Sequence, residues 1–300
     1  MKVYHNSFFA MGSRFNIVLP LDKKENGKEI FHSVQKEVLR IDKKLSYFNE
    51  ESTVYKINQN ACKTCMELDN EMIDIIQICI DYSKLTYGAY DITLRPVIEK
   101  TVKSGNHVGA DDNEGKSYLD KIVFNKNKKT IFFESNKVKI DLGGFGKGYA
   151  LEKIKPLLDS APIENAFVSF GESSILVKGK HPGGKNWQVG IKDLTNKKEP
   201  LHTFHLFNNS ISSSSNYYVN DSGQLCRKIN VISPFTYKPV EEKKVTSVQS
   251  VSPLQAEILS TAFLVMNENL INRTLKKVNK VEAVVVSYHG NKSCKKTFRA

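Results

Sequence analysis

The sequence predicts a mixed α+β fold, organised as one domain over residues 1–300. Short alternating runs of strand type are interspersed with longer runs at helical spacing, and the two do not follow the regular βαβ order of a parallel sheet. No Pro/Ser-rich linker divides the chain, and no segment repeats. At 300 residues, 40% hydrophobic and 25% charged, the chain is long enough to bury a substantial core.

Residues 15–19 alternate as a strand. From about 27 to 47, Phe31, Val34, Val38, Ile41 and Leu45 recur at threes and fours, which is the stripe of an amphipathic helix. Asp69-Asn70 offers the cap of a second helix carrying Met72, Ile73, Ile76, Cys79, Ile80 and Leu85. Residues 88–93 interrupt that pattern, and Pro96 suits the start of a short helix. Residues 121–124 and 130–133 read as two strands with a turn between them. Val138, Ile140 and Leu142 alternate with Lys139 and Asp141 and predict a half-buried strand, after which 149–158 returns to helical spacing. Downstream, 165–171, 187–191, 202–207, 245–251 and 282–288 read as strands, Ile211-Ser212 leads into a serine run, and 253–266 reads as a helix. The closing Lys292-Ser293-Cys294-Lys295-Lys296 reads as a solubilising tail.

The 44 Lys+Arg against 32 Asp+Glu give a net charge of +12, compatible with nucleic acid, an anionic membrane surface or a phosphorylated substrate. The lysines are scattered and aromatics do not interleave with Arg, so the expectation is a solvated basic surface and no nucleic-acid partner. Five cysteines are too few and too uneven for a disulfide scaffold. Cys62 and Cys65 form a C-x-x-C without a second pair or paired histidines, and Cys79 falls on an apolar helix face. No apolar run is long enough for a transmembrane segment. His5, Asn6 and Ser7 interrupt any signal-peptide core, so the chain as written reads as cytoplasmic, or as exported if a leader was removed.

The segment Gly143-Gly144-Phe145-Gly146-Lys147-Gly148 joins the strand-like run to the helical one. Glycines let backbone approach a ligand closely, and the free amides opening a helix attract anions, so the pattern describes a phosphate site. It is not a P-loop, because Gly148 stands where Ser or Thr is needed, and the G-x-G-x-x-G spacing is absent. The plain alternative is a tightly packed connection.

The motif has companions along the chain: Met11-Gly12-Ser13, Leu45-Ser46-Tyr47-Phe48, Gly88-Ala89-Tyr90-Asp91-Ile92-Thr93, Val168-Ser169-Phe170-Gly171, Ile211-Ser212-Ser213-Ser214, Val231-Ile232-Ser233-Pro234 and Ala256-Glu257-Ile258-Leu259-Ser260-Thr261. In this order they resemble the FAD:protein FMN transferase family of the ApbE type, from about Met11 to Met266. The resemblance implies a fold with the nucleotide in a central cleft. It also implies a Mg2+-dependent reaction that takes FAD as substrate, attaches FMN by a phosphoester to Thr or Ser of a target flavoprotein, and releases AMP. Flavin contacts are then expected from Met11, Phe48, Ala89, Tyr90, Asp91, Asp141, Lys147 and Ile232. Phe48 or Tyr90 can stack on a ring, Asp91 or Asp141 can accept hydrogen bonds, and Lys147 can face the diphosphate. Each has a plainer reading: Met11 and Phe48 as core, Asp91 as a cap, Lys147 as a solvated charge. Glu257 and Thr261 lie four apart, hence on one helix face, and their oxygens suit Mg2+. By resemblance the Gly144 carbonyl is a third ligand and Ser260 a further candidate.

The pattern is broken in four places. The family's His-Ile-Ile-Asp-Pro is Asn230-Val231-Ile232-Ser233-Pro234 here, and asparagine cannot take the proton of an acceptor hydroxyl as that histidine is thought to do. Glu257 replaces an Asp, and Ser215 and Glu172 each replace a Gly. His202, His205 and Asp141 are the candidate substitute bases. Two other readings stay open: a relative that binds FAD without transferring it, and a basic adaptor that uses the cleft for a protein partner.

Overall fold

In a computed structural model that describes residues 2–21, 26–103, 117–194, 199–220, 222–290 and 292–300, strand β1 (Lys2–Ala10) folds back onto β2 (Ser13–Leu21). The connection is Met11-Gly12, with φ of 48° and 67°, the two positive values that tight hairpins favour. Helices α1 (Gly27–Leu45) and α2 (Thr53–Asn60) lead to β3 (Met66–Glu67), α3 (Asn70–Leu85) and α4 (Arg95–Lys103). Strands β4 (Ile122–Asn125) and β5 (Thr130–Phe133) precede α5 (Gly146–Ser160), followed by β6 (Ala166–Phe170), β7 (Ser174–Lys178), β8 (Trp187–Lys192) and β9 (Pro200–Leu206). Then come β10 (Ser210–Ser215), β11 (Tyr217–Val219), β12 (Leu225–Arg227), β13 (Lys243–Ser250), α6 (Pro253–Val265), α7 (Glu268–Leu275), β14 (Glu282–His289) and β15 (Lys292–Arg299).

The framework is an eight-stranded antiparallel sheet in the order β1-β2-β6-β7-β10-β13-β14-β15. Alternate side chains of a strand face opposite sides, and both sides are covered. Leu176, Val248, Ala283 and Val285 join a core with α1, α3, α5 and α6, whereas Ile175, Val177, Val245, Val284 and Val286 pack with Trp187 and Phe204 of the β8–β9 hairpin. Such two-sided burial, with α5 and α6 adjacent on the helical side, is the mixed α+β architecture that the patterning predicts.

Helix boundaries follow the caps. Asp69 Oδ1 accepts from the Met72 amide at 2.8 Å to start α3, and Ser252 Oγ accepts from the Gln255 amide ahead of α6, which has Pro253 in its first turn. Two expectations fail. The alternating run at 138–142 forms no strand and pairs with none among the described residues. The Asn58 side chain of α2 takes its place, donating to the Ile140 carbonyl and accepting from the Ile140 amide, each at 2.8 Å, while the Asp141 amide donates to the Ile92 carbonyl at 2.8 Å. The basic terminus is no free tail either, since β15 pairs along β14 and leaves its lysines on an exposed edge. Among the described residues no helix is long and apolar enough to cross a membrane.

Candidate functional site

A cavity of about 520 Å³ opens where the glycine turn, α5, α6, the end of β10 and the segments 89–98 and 228–232 converge. That volume suits a small organic ligand. Glycine builds it at two places. A Cβ on Gly148 would lie 2.4 Å from Glu257 Cβ and 2.9 Å from the Pro253 carbonyl, so α5 can approach α6 only because no side chain is there. A Cβ on Gly144 would lie 3.3 Å from both Thr261 Cγ2 and Oγ1, which puts the glycine turn directly against the Thr261 hydroxyl. Two distant parts of the chain thus meet in one wall.

Glu257 is the charge at their junction, with only 4% of its surface exposed. Its Oε2 accepts from Ser174 Oγ of β7 and from Ser212 Oγ of β10 (2.7 Å), and its Oε1 lies 3.3 Å from Lys147 Nζ. A carboxylate this deep requires such partners, because burial without them strongly disfavours the charged form. Lys147 Nζ also donates to Ser173 Oγ at 3.0 Å, which aims it across the mouth of α5. Thr261 Oγ1 donates back to the Glu257 carbonyl at 3.1 Å and lies 3.5 Å from Ser214 Oγ.

Asp141 sits at the head of the glycine turn, with Oδ1 accepting from the Gly143 amide (2.8 Å) and Oδ2 from Arg95 Nη1 (3.2 Å). Asp91 Oδ1 accepts from the Thr93 amide and hydroxyl at 2.7 and 2.6 Å, but its Oδ2 is buried with no hydrogen-bond partner among the described residues. A buried acceptor left empty in a cavity wall fits a donor from a ligand. Tyr90 is buried and reaches inward to Cys79 Sγ at 3.9 Å. Burial first, and Cys79 second, raise its phenol well above the ordinary range, so it stays neutral.

Of the residues singled out in the sequence, Ala89, Tyr90, Asp91, Asp141, Gly144, Lys147, Asn230, Ile232, Glu257 and Thr261 line this one cavity. Met11 lies behind the turn, its sulfur 3.3 Å from where a Gly146 Cβ would be. Phe48 is neither core nor cavity wall. It is 74% exposed and packs edge-on against Tyr47, with the Arg95 guanidinium 4.9 Å from its ring. Ser260 turns away, hydrogen-bonded to Ser214 Oγ (2.9 Å) and the Glu257 carbonyl (3.0 Å) and fully buried. His202 and His205 do not reach the cavity, because β9 carries them in the hairpin beside the second core. Neither is positioned as a substitute base.

Sequence reasoning missed Arg95, Ser174 and Lys228, and placed Ser212 in a motif without giving it a role. Arg95 ties Glu99 (2.9 Å) to Asp141 and lies 4.3 Å from the Tyr47 ring centroid. Burial, then the Glu99 carboxylate, push the Tyr47 phenol up to about 12, so it remains a donor to Glu99. The spacing of Arg95 and Glu99 carried a signal, four apart at a helix start. Ser174 carried none, and nothing local linked either serine to Glu257, since only strand pairing brings them there.

Among the described residues no cluster of three or more His, Cys, Asp or Glu side chains forms a self-sufficient metal cage. The Glu257 carboxylate, the Thr261 hydroxyl and the Gly144 backbone instead border one cavity, and they are the kinds of oxygen donor that Mg2+ accepts as a partial set when a phosphate completes its shell. The residues present therefore fit that ion.

Known proteins give a consistent picture. The FAD:protein FMN transferase of Haemophilus influenzae is 26% identical over 256 residues, covering 80% of this chain and 73% of that protein. The enzyme of the same name from Escherichia coli K12 is 23% identical and covers 89% and 80%. Among solved structures, the ApbE protein of Thermotoga maritima superposes with a TM-score of 0.80 at 25% identity, over 95% of this chain and 94% of that one. The flavin transferase ApbE of Vibrio cholerae gives 0.83 at 18% identity, over 99% and 97%, a likeness of fold. The family model of the ApbE family matches residues 11–285, and the chain belongs to that family.

Proposed function

We propose that this protein is an FAD:protein FMN transferase, which moves FMN from FAD to a Thr or Ser hydroxyl of a partner flavoprotein and releases AMP. The observation that carries the reading is the junction of the glycine turn with α6, where Gly148 meets Glu257 and Gly144 meets Thr261 in one cavity wall. The names of the curated relatives support it.

The amides opening α5 and the Lys147 ammonium suit the diphosphate, whose charge must be held while one P–O bond is exchanged for another. Asp91 Oδ2 and Asp141 suit donors on the sugar or base portions, and Arg95 braces Asp141. Glu257, Thr261 and the Gly144 carbonyl would hold Mg2+, which when bound supplies charge neutralisation to the diphosphate. Ser174 and Ser212 keep the Glu257 carboxylate in position. Asn230 lines the cavity but cannot accept a proton near neutrality, which favours one second reading, a catalytically weakened relative that binds FAD without transferring it.

The test is incubation with FAD, Mg2+ and a flavin-accepting domain, with AMP and protein-bound flavin measured together. Both products in equal amounts are expected. FAD binding without AMP above an enzyme-free control would select the relative that binds without transferring, and absence of FAD binding would refute both readings. Thr261→Ala is expected to remove the Mg2+ dependence of FAD binding; an unchanged Mg2+ response would refute the ligand assignment.

A further inference from the structure

Lys228 lies in the cavity wall two residues before Asn230, and none of the roles above uses it. Its place is fixed from behind. The Lys228 amide donates to the Asn216 carbonyl at 2.8 Å, and the fully buried Asn216 side chain donates to the carbonyls of Val240 (3.0 Å) and Glu242 (2.8 Å). The Lys228 side chain is half-buried, and no carboxylate among the described residues forms an ion pair with it.

The other charges of the cavity are already engaged. Lys147 on α5 has Glu257 on α6, and Arg95 has Asp141 and Glu99. Asp91 spends one oxygen on Thr93 and makes no ion pair with Lys228. Loss of solvent, and then the like charge of Lys147, push the Lys228 ammonium below its ordinary range. A cation that is partly stripped of water in a cavity it shares with another cation is relieved by an anion bound in that cavity. The catalytic-base alternative is less favoured, because a bound diphosphate holds the amine protonated.

We propose that Lys228 is a second cation of a diphosphate clamp, joining Lys147 on the bridging phosphates of a dinucleotide. The proposal rests on the reading that the ligand is FAD. One consequence sets Lys228 apart from a merely structural lysine: in alkaline solution it binds a proton when the dinucleotide enters, because the anion restores the charged form.

The experiment titrates FAD, and riboflavin as the probe lacking phosphate, into wild type, Lys228→Met and Lys228→Arg by calorimetry in buffers of different ionisation enthalpy. Lys228→Met is expected to weaken FAD about ten- to a hundredfold, the loss of one charged hydrogen-bonding partner. Riboflavin affinity stays unchanged, Lys228→Arg retains most FAD affinity, and proton uptake at alkaline pH disappears in Lys228→Met. Equal FAD affinity in Lys228→Met, or an equal loss for riboflavin, overturns the clamp alone. Normal FAD affinity with a reduced rate of AMP release overturns it in favour of a proton-accepting role. A wild type that binds no FAD overturns both the clamp and the function beneath it.

Discussion

Gly148→Ala tests the contact on which the cavity depends. The added methyl carbon would lie 2.4 Å from Glu257 Cβ, 3.1 Å from Glu257 Cγ and 2.9 Å from the Pro253 carbonyl oxygen. The first distance is roughly 1 Å short of an ordinary carbon–carbon contact, and neither a Cβ nor a backbone carbonyl can swing aside. Helices α5 and α6 must therefore separate. Overpacking of this kind costs about 1–3 kcal/mol, and two rigid neighbours put this site at the upper end. Replacing glycine in a helix returns about 1 kcal/mol at most, and less here because residue 148 is in the first turn. The net expectation is a loss of about 2 kcal/mol, read in urea unfolding as a lower midpoint at unchanged slope. Because Glu257 moves with α6, Mg2+-dependent FAD binding should weaken as well. Gly144→Ala is the control, since its 3.3 Å contacts with the Thr261 side chain need only a few tenths of an ångström of relief. An unchanged or raised midpoint for Gly148→Ala would show that helix propensity outweighs the clash and that the two helices are not locked by this glycine.

Asn230→His should raise the rate of AMP release by about two to four orders of magnitude if the missing base limits turnover, with FAD affinity little altered; a rate within experimental error of wild type would place the limit elsewhere. Stability should also carry an acid signature from Glu71. The Arg40 guanidinium foremost, with Lys44 and Tyr149 assisting, lowers its carboxyl from 4.5 to about 2. A depressed folded-state value means that its contribution is complete above about 4.5, the unfolded value, and is lost as pH falls toward about 2. Glu71→Gln should flatten the stability profile in that window. Equal slopes for variant and wild type in acid unfolding would contradict the assignment.

What could be read from the chain divides along the range of the interactions concerned. Helix α1 was legible because its stripe from Phe31 to Leu45 is periodic, and α3 because Asp69 caps it locally. Glu257 and Thr261 were legible as a pair because a helix brings positions four apart together. The run 138–142 was misread because alternation reports two-sided surroundings and not who supplies the hydrogen bonds, which is here a side chain 82 residues earlier. Strand β15 was hidden by its lysines, which suit an edge and resemble a disordered end. Phe48 was assigned to stacking or to core on its ring alone, without the neighbouring Arg95. Ser174, Ser212 and Lys228 acquire meaning only through tertiary structure, the serines through strand pairing and the lysine through the cavity it borders.

The Asn58 side chain holds residue 140, just ahead of the glycine turn. By offering a donor and an acceptor to both backbone groups of one residue, it replaces a rung of sheet with a single removable group. The lead-in to the glycine turn is thereby moored to a short helix and, through the Asp141 amide, to the Ile92 carbonyl, so loss of the Asn58 side chain would free residue 140 without breaking any strand pairing.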